Sequence, residues 1–389
     1  MKTIISFTLL LIYTSNTFAQ IKMEKFVLDD IVQSDTAIAY FTKLIDAEED
    51  EPLWYISRSY VYAMNGKLRK ARKDLDKGLK MYETPSDTLI DYSARLYASS
   101  GKFKKAIAES ERAVSMNPDD PYHQLLIGEI YSMKDDQDKA ILQFDEVIEK
   151  FPDFAEAYYH RGKSKRFLLL GDSVIIPDLK TAVDISYRDS SEIFIDAVYE
   201  LADYLAYLKK FDTATYYFNL MIDHDSTNFN LFNLGYWLGE CHFFSGNYDL
   251  AIKYYKKSLF INEKKLDRTL FMIGRSYEHK EVYDTAVYYY DNIFEYGYGD
   301  KRIERMAILH RGICNFHLGL YDLAKKDLSL ARRKWYKKEP DVYYYLGVIE
   351  KIEGNHKVAC KRFEKASKLG VNEDDSFKQD LDEAIKSCE

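Results

Sequence analysis

The amino-acid sequence predicts an all-α fold in which helical hairpins stack side by side into a solenoid. One observation is a recurring pattern in which a glycine is followed by an alanine twelve residues later, as in Gly128 and Ala140 or Gly239 and Ala251. A second is that the 389 residues include only 7 prolines and 17 glycines, so that few positions interrupt a helix. Because a period of about 35 residues fits two helices and their turns, the pattern favours stacked hairpins.

The repeat can be followed through ten anchor residues, each predicted to lie early in the second helix of a hairpin. The anchors are Ala37, Ala71, Ala106, Ala140, Ile175, Ala214, Ala251, Ala286, Ala324 and Ala359. Successive anchors are 34 to 39 residues apart. A period this regular predicts that each hairpin contacts mainly its neighbours along the chain.

The pattern also predicts how each hairpin packs. A glycine or alanine where the two helices cross lets their backbones approach, and the anchor fills the remaining space. Large residues four positions after an anchor lie one turn further along the same helix face. These residues are Phe144, Phe218, Tyr255, Tyr290 and Phe363. Since no hairpin buries its apolar face alone, we expect neighbouring hairpins to stack.

Three features of this pattern resemble the tetratricopeptide repeat (TPR) family. They are the small residue at the crossing, the alanine early in the second helix, and prolines at repeat ends such as Pro118 and Pro152. The resemblance implies a right-handed superhelical solenoid of helix-turn-helix repeats. It divides the chain into a partial or divergent N-terminal hairpin (20–51), an array of about nine repeats (52–371) and a C-terminal capping helix (372–389).

The N-terminal residues predict export. Residues 1–19 begin with Lys2, continue with an apolar stretch from Ile4 to Tyr13 and end at Ala19, which is typical of a cleaved signal peptide. An uncleaved signal anchor is the alternative. The predicted mature chain has no transmembrane segment, and we expect it to be periplasmic or extracellular, in a bacterium. The formal net charge of −8 argues against nucleic acid as the partner.

The four cysteines fall into two groups. Cys241 and Cys314 occupy one repeat position that other repeats fill with small or apolar residues, which predicts buried thiols. A zinc site using Cys314 and His317 would need ligands converging from elsewhere, and the two cysteines are not expected to meet. Cys360 and Cys388 lie near the C-terminus. The sequence leaves open whether they form a disulfide or remain two thiols.

No motif in the sequence indicates catalysis. The chain lacks a GxSxG nucleophile motif, a phosphate-binding P-loop and an HExxH zinc motif. Its eight histidines are scattered among the repeats. The sequence therefore predicts that the protein is not an enzyme and uses no cofactor, with a glycosidase-like carboxylate pair as the alternative that spacing alone leaves open.

The TPR resemblance implies that the first helices of successive hairpins line a concave groove that receives a partner protein or peptide. The groove positions carried over are Tyr159, Lys163, Arg166, Tyr199, Asp203, Tyr236, Glu240, Phe243, Phe271 and Arg275. Tyrosine and arginine often carry the binding energy of protein interfaces. The predicted function is an exported, non-catalytic interaction scaffold. A cell-wall or carbohydrate-binding module is the alternative, because aromatic faces suit sugar rings.

Overall fold

The computed structural model describes residues 35–47, 51–224, 231–259, 266–297, 299–370 and 376–388. The predicted signal peptide lies outside these residues. The described residues form twenty α-helices and no β-strand, which confirms the predicted all-α fold. None of these helices combines the length and apolar character that crossing a membrane requires.

The helices belong to two compact units, which divide after Phe194. Unit 1 contains α1 (Asp35–Asp46), α2 (Pro52–Met64), α3 (Leu68–Lys80), α4 (Asp87–Ser99), α5 (Phe103–Met116), α6 (Pro121–Met133), α7 (Gln137–Lys150), α8 (Ala155–Phe167) and α9 (Asp172–Asp189). Unit 2 contains α10 (Phe194–Tyr207), α11 (Phe211–His224), α12 (Leu231–Phe244), α13 (Tyr248–Ser258), α14 (Leu266–His279), α15 (Tyr283–Tyr296), α16 (Lys301–His317), α17 (Tyr321–Lys334), α18 (Pro340–Ile352), α19 (His356–Leu369) and α20 (Ser376–Lys386).

Consecutive helices pair as hairpins, from α2–α3 through to α18–α19, which gives nine hairpins in the described residues. In α10–α11 the rings of Tyr199 and Phe218 pack with their centroids 6.3 Å apart. Each second helix also contacts the first helix of the next hairpin within its unit. Pro52, Pro121 and Pro340 occupy the first positions of α2, α6 and α18, where the missing N–H of proline removes no helical hydrogen bond. Proline thus helps to start three of the first helices.

The predicted anchors lie where the repeat pattern placed them. Each is the third or fourth residue of its helix, and all ten are 0% to 2% exposed. An alanine side chain offers little apolar area, so its value here lies in letting neighbouring helices pack closely. The repeat pattern therefore identified the interior of the hairpins correctly.

In six of the nine described hairpins, a glycine at the crossing makes room for the large residue four positions after the anchor. A Cβ atom added to Gly128 would lie 2.4 Å from Cε1 of Phe144, and one added to Gly347 would lie 2.6 Å from Cε1 of Phe363. Both distances are far below van der Waals contact. The ring of the second helix thus occupies the space that a side chain on the first helix would fill.

Three hairpins share an ion pair that the sequence pattern did not predict. An arginine on the first helix binds both carboxylate oxygens of an aspartate on the second helix, as Arg161 does with Asp178 at 2.8 and 2.6 Å. Arg58 and Asp74 make the same bidentate pair at 2.6 and 3.0 Å. Because all four side chains are at most 16% exposed, these pairs fix the two helices in register.

Helix α20 covers the end of the last hairpin. Its Leu381 is 2% exposed and belongs to one apolar cluster with Phe363 and Ala366 of α19. A disulfide joins Cys360 of α19 to Cys388, which follows α20, with the Cα atoms 5.7 Å apart. Helix α20 therefore packs on α19 and is covalently linked to it, while the predicted bounds of a capping helix, 372–389, extend beyond the described residues.

Candidate functional site

The ten predicted groove residues all lie on the first helices of hairpins. We call the surface formed by the first helices of a unit its first-helix face. α8 carries Tyr159, Lys163 and Arg166, α10 carries Tyr199 and Asp203, α12 carries Tyr236, Glu240 and Phe243, and α14 carries Phe271 and Arg275. The rings of Tyr159, Tyr236 and Phe271 are only 8%, 3% and 3% exposed. Stacking on a sugar requires an open ring face, so these three rings do not favour the carbohydrate alternative.

Glu240 is the centre of a polar cluster between α12, α13 and α14. Its carboxylate accepts hydrogen bonds from the hydroxyls of Tyr236 at 2.8 Å and Tyr255 at 3.1 Å. A nitrogen of Arg268 lies 3.5 Å from its other oxygen. The Glu240 side chain is 14% exposed, whereas that of Arg268 is 55% exposed. A largely buried carboxylate therefore holds an arginine that still faces outward.

A second cluster lies one hairpin further along, around Glu278 of α14. Its carboxylate accepts hydrogen bonds from Tyr290 at 2.5 Å and from Nδ1 of His310 at 3.1 Å. Arg275 donates to Nε2 of His310 at 3.2 Å and to Nε2 of His279 at 3.0 Å. His310 thus lies between the carboxylate of Glu278 and the guanidinium of Arg275, with one ring nitrogen facing each group.

Both clusters depend on a tyrosine at a position where three other hairpins place a phenylalanine. Tyr255 and Tyr290 lie four residues after their anchors, as Phe144 and Phe218 do, and all four rings are completely buried. A tyrosine fills the same space but carries a hydroxyl beyond the ring. In the two adjacent hairpins α12–α13 and α14–α15, that hydroxyl meets a carboxylate on a first helix.

The local environment fixes the protonation states of these groups. Burial raises the pKa of the Tyr255 and Tyr290 hydroxyls, and the adjacent carboxylates raise it further, so both remain donors. Burial alone would raise the pKa of Glu278, but His310 and Arg275 outweigh it and hold that pKa below its usual value. Burial lowers the pKa of His279, which keeps its ring neutral. The cluster can therefore bind and orient groups through hydrogen bonds and charge.

Phe243 adds an aromatic border to the first cluster. Its ring centroid lies 5.6 Å from that of Tyr248 and 5.3 Å from that of His279. Tyr248 and His279 stack almost in parallel, with centroids 4.9 Å apart and planes inclined by 7°. Because His279 also accepts a hydrogen bond from Arg275, the aromatic border is joined to the polar clusters.

Unit 1 has a simpler arrangement at the equivalent position. Glu129 follows Gly128 as Glu240 follows Gly239, and it binds Arg95 at 2.9 Å and His160 at 3.3 Å. Burial alone would raise the pKa of Glu129, but Arg95 and His160 lower it below its usual value. Lys163 lies next to this pair on α8 and donates to the hydroxyl of Tyr159 at 3.0 Å. Arg95 and His160, and not a tyrosine hydroxyl, thus contact the carboxylate of Glu129 and link it to neighbouring first helices.

Four of the predicted groove residues lie in or beside these clusters. Sequence reasoning placed Tyr236, Glu240, Phe243 and Arg275 together on the first-helix face, and the structure brings them into neighbouring clusters. It treated Tyr255 and Tyr290 only as packing residues. The signal that could have identified them was the change from phenylalanine to tyrosine at one repeat position in two consecutive hairpins.

The free cysteines and the histidines His242 and His317 form packing contacts. Cys241 and Cys314 are buried free thiols, and burial raises the pKa of Cys241 to about 11. His242 stacks on Tyr254 with ring centroids 5.3 Å apart. His317 stacks on Tyr283 at 4.6 Å. Among the residues the structure describes, no three histidine, cysteine or acidic side chains come together as a metal site.

Two segments match the sequence profile of the tetratricopeptide repeat, residues 93–153 and residues 236–265. The first match contains Glu129 and the second contains Glu240 with Tyr255. The chain is also similar to tetratricopeptide repeat protein 13 of Homo sapiens, with 26% identity over 139 residues. That alignment covers 36% of this chain and only 16% of the human protein.

Several solved structures are similar to this chain. PilW, described as a widely conserved type IV pilus biogenesis factor, is 18% identical over 55% of this chain and 95% of its own, with a TM-score of 0.43. The Cut9–Hcn1 hetero-tetramer of the APC/C gives 13% identity, coverage of 91% and 82%, and a TM-score of 0.44. A tetratricopeptide repeat protein from Parabacteroides merdae gives 14% identity, coverage of 78% and 98%, and a TM-score of 0.33.

Proposed function

Because the chain belongs to the tetratricopeptide repeat family, we propose that it is an exported, non-catalytic scaffold that holds a partner protein on the first-helix face of unit 2. Its repeats support a role in protein interaction. Export rests on the predicted signal peptide. The partner site rests on the paired clusters around Glu240 and Glu278.

The observation that carries this proposal is that carboxylates and tyrosine hydroxyls are buried at positions where apolar side chains would pack equally well. Burying a carboxylate is costly unless partners compensate, and apolar replacements of buried ion pairs are often neutral or stabilising. Six of the other hairpins fill the position of Tyr255 with phenylalanine or leucine, the α4–α5 hairpin fills it with Ser110, and only α14–α15 repeats the tyrosine among the nine described hairpins. Stability alone therefore does not account for the polar groups, and binding gives them a reason.

Arg268 is the residue best placed to contact a partner. Its guanidinium lies over the ring of Tyr236, 5.2 Å from the centroid, and near Glu240 at 3.5 Å. These neighbours hold the side chain in position although more than half of it is exposed. Arginine ordered in this way presents several N–H donors to backbone carbonyls or carboxylates of a partner at a reduced entropic cost.

A photocrosslinking experiment in the native host tests the proposal. A benzoylphenylalanine at Phe243 keeps an aromatic ring in the border of the site. The matched control carries the same residue at Lys253, which is exposed on α13, the second helix of the same hairpin. We expect one discrete protein adduct from Phe243 and none of that adduct from Lys253.

Two further substitutions separate binding from folding. Glu240→Gln keeps the side-chain length and removes the charge, whereas Arg268→Gln removes the charge and the guanidinium donors. We expect each to weaken capture from Phe243 at least tenfold. The melting temperature of Arg268→Gln should remain close to that of the unmodified protein because Arg268 is largely exposed. Equal capture from both crosslinking positions, or capture unaffected by Arg268→Gln, would show that this face is not the partner site.

A further inference from the structure

The turns between the two helices of each hairpin in unit 1 lie along one edge. Each second helix contacts the first helix that follows, and first helices also contact each other, as α4 does α6 and α6 does α8. Because the chain reverses direction at every connection, the first helices run parallel. Their turns, at residues 65–67, 100–102, 134–136 and 168–171, therefore form one border, which we call the turn edge.

The fourth turn of this edge presents a protruding apolar tip. Phe167, Leu169, Leu170 and Val174 are 64%, 78%, 48% and 40% exposed. These residues surround the connection between α8 and α9, and none is required to fill the interior of the hairpin. A cluster of large apolar side chains projecting from a turn usually marks an interaction site.

Leu169 is unexpected on backbone grounds as well. Its φ of 55° is left-handed, as is that of the corresponding residues of the other three turns, Gly66, Gly101 and Asp135, at 68°, 71° and 65°. Of the four, leucine is the largest and most apolar side chain. Glycine adopts this conformation freely, whereas a leucine is strained in it. Neither the backbone nor the packing therefore favours leucine here, which points to a use for the exposed side chain.

The first two turns of the same edge are basic. Lys67 lies in the α2–α3 turn, with Arg69 and Lys70 at the start of α3, and Lys102 lies in the α4–α5 turn, with Lys104 and Lys105 at the start of α5. All six side chains are exposed. No acidic residue occurs within residues 64–70 or 99–105. Lys67 binds Asp35 of α1 at 2.9 Å, so one of the six charges is partly compensated.

The third turn has a different charge. It contains Asp135, Asp136 and Asp138 together with Lys134 and Lys139. Both lysines lie near Asp136, at 3.7 and 3.4 Å. The excess positive charge of the turn edge therefore lies in the first two turns and the apolar tip in the fourth.

We propose that the turn edge of unit 1 docks on the surface of an anionic lipid bilayer. The tip around Leu169 enters the boundary between headgroups and acyl chains, and the cations of the first two turns face anionic headgroups. A bilayer receives separate protruding side chains without a complementary pocket, whereas a protein partner would need one. Headgroup charge complements the basic turns. This role is additional to partner binding on unit 2.

Vesicle flotation of the full chain tests this proposal. The vesicles contain phosphatidylcholine alone or phosphatidylcholine mixed with phosphatidylglycerol. We expect flotation with the anionic vesicles at low salt, little with phosphatidylcholine alone, and a loss as salt is raised. Absence of flotation with anionic vesicles at low salt would overturn the proposal.

Leu169→Gly separates membrane contact from folding. Glycine suits the left-handed turn, so we expect an unchanged or higher melting temperature, yet binding to anionic vesicles should fall by about fivefold or more. The control is Leu142→Ser on α7, whose side chain is 60% exposed away from the turns. Equal binding by Leu169→Gly and the unmodified chain would overturn the insertion of the tip.

Removing the positive charges tests the role of the basic turns. Replacing Lys102, Lys104 and Lys105 by glutamine should weaken binding to anionic vesicles at least tenfold at low salt. Replacing three exposed lysines outside the turns, Lys80, Lys150 and Lys180, makes the same change in net charge and should have a much smaller effect. If both triple variants lose vesicle binding equally, the lipid assignment fails. It also fails if an acidic protein displaces the vesicles while Leu169→Gly leaves vesicle binding unchanged.

Discussion

The hydroxyl of Tyr255 donates a hydrogen bond to Glu240 at 3.1 Å, while the ring below it fills the space left by Gly239. A Cβ atom on Gly239 would lie 2.5 Å from that ring. One residue thus performs two tasks. Its ring closes the hairpin, and its hydroxyl supports the carboxylate at the centre of the candidate site.

Tyr255→Phe should keep the packing and remove the hydrogen bond. Glu240 then retains only Tyr236 and Arg268 as partners in its largely buried position. Loss of a hydrogen bond to a charged group predicts a decrease in unfolding free energy of about 2 kcal/mol. Urea denaturation of the two proteins measures this difference.

The control for this change is Tyr216→Phe on α11. Tyr216 is 62% exposed, so removing its hydroxyl should leave the unfolding free energy unchanged within error. If Tyr255→Phe and Tyr216→Phe have the same effect, the hydroxyl of Tyr255 does not support Glu240.

Gly128→Ala tests the close approach that defines the hairpins. The new methyl group would lie 2.4 Å from the ring of Phe144, so the hairpin must open slightly, at a cost of about 1 to 3 kcal/mol. A larger cost is not expected, because Ala202 and Phe218 occupy the same two positions in α10–α11 and both are fully buried.

The pairing itself is tested by a double-mutant cycle. Phe144→Leu creates space beside Gly128→Ala, so the double variant should be more stable than the sum of the two single losses predicts. Thermal denaturation of the four proteins provides the comparison. Strictly additive losses would mean that the ring and the glycine do not share the space.

The sequence was sufficient to predict the hairpins because their packing depends on residue size at fixed intervals. Ala140 and Phe144 could be placed correctly from spacing alone, since the helical period puts residues four apart on one face. The same period placed Glu240 and Arg275 on first helices. These predictions use the regular spacing of residue types along the sequence. In a repeat protein, equally spaced residues take equivalent places in successive hairpins.

The polar contacts could not be predicted in this way. Arg161 and Asp178 are 17 residues apart, and only the crossing of two helices brings them within hydrogen-bond distance. The same holds for Glu278 and His310, which lie on different hairpins. Whether Cys360 and Cys388 meet likewise depends on how α20 folds back on α19, which spacing does not determine.

Reduction of the disulfide should loosen the C-terminal end of unit 2. Cys360 and Cys388 close a loop of 28 residues, for which chain entropy predicts about 3 to 4 kcal/mol of stabilisation. We expect hydrogen exchange to increase in α20 and α19 after reduction, with α12 to α15 unaffected. A Cys360→Ser/Cys388→Ser variant should show this increase without reductant and no further change with it; unchanged exchange in α20 would contradict the prediction.

His123 makes the stability of unit 1 depend on pH. The ring is 2% exposed, and its Nδ1 lies 2.9 Å from Asp91 while its Nε2 lies 3.3 Å from Asp87. Asp120 lies 3.8 Å from the same Nε2. Burial alone would lower the pKa of His123, but these carboxylates outweigh it and raise the pKa to about 9. Two carboxylate partners require both ring nitrogens to be donors, and therefore the charged form.

Because the pKa of His123 is higher in the folded chain than in the unfolded chain, its protonation stabilises the folded state at low pH and not at high pH. Unfolded His123 titrates near 6.5, so its contribution is complete below that pH and is lost as pH rises through about 9. The difference corresponds to about 3 kcal/mol. The unfolding free energy of the unmodified chain, relative to that of His123→Gln, should therefore fall between pH 6.5 and 9. A difference that stays constant across this range, or that grows with pH, would show that His123 is not held as an imidazolium by Asp91 and Asp87.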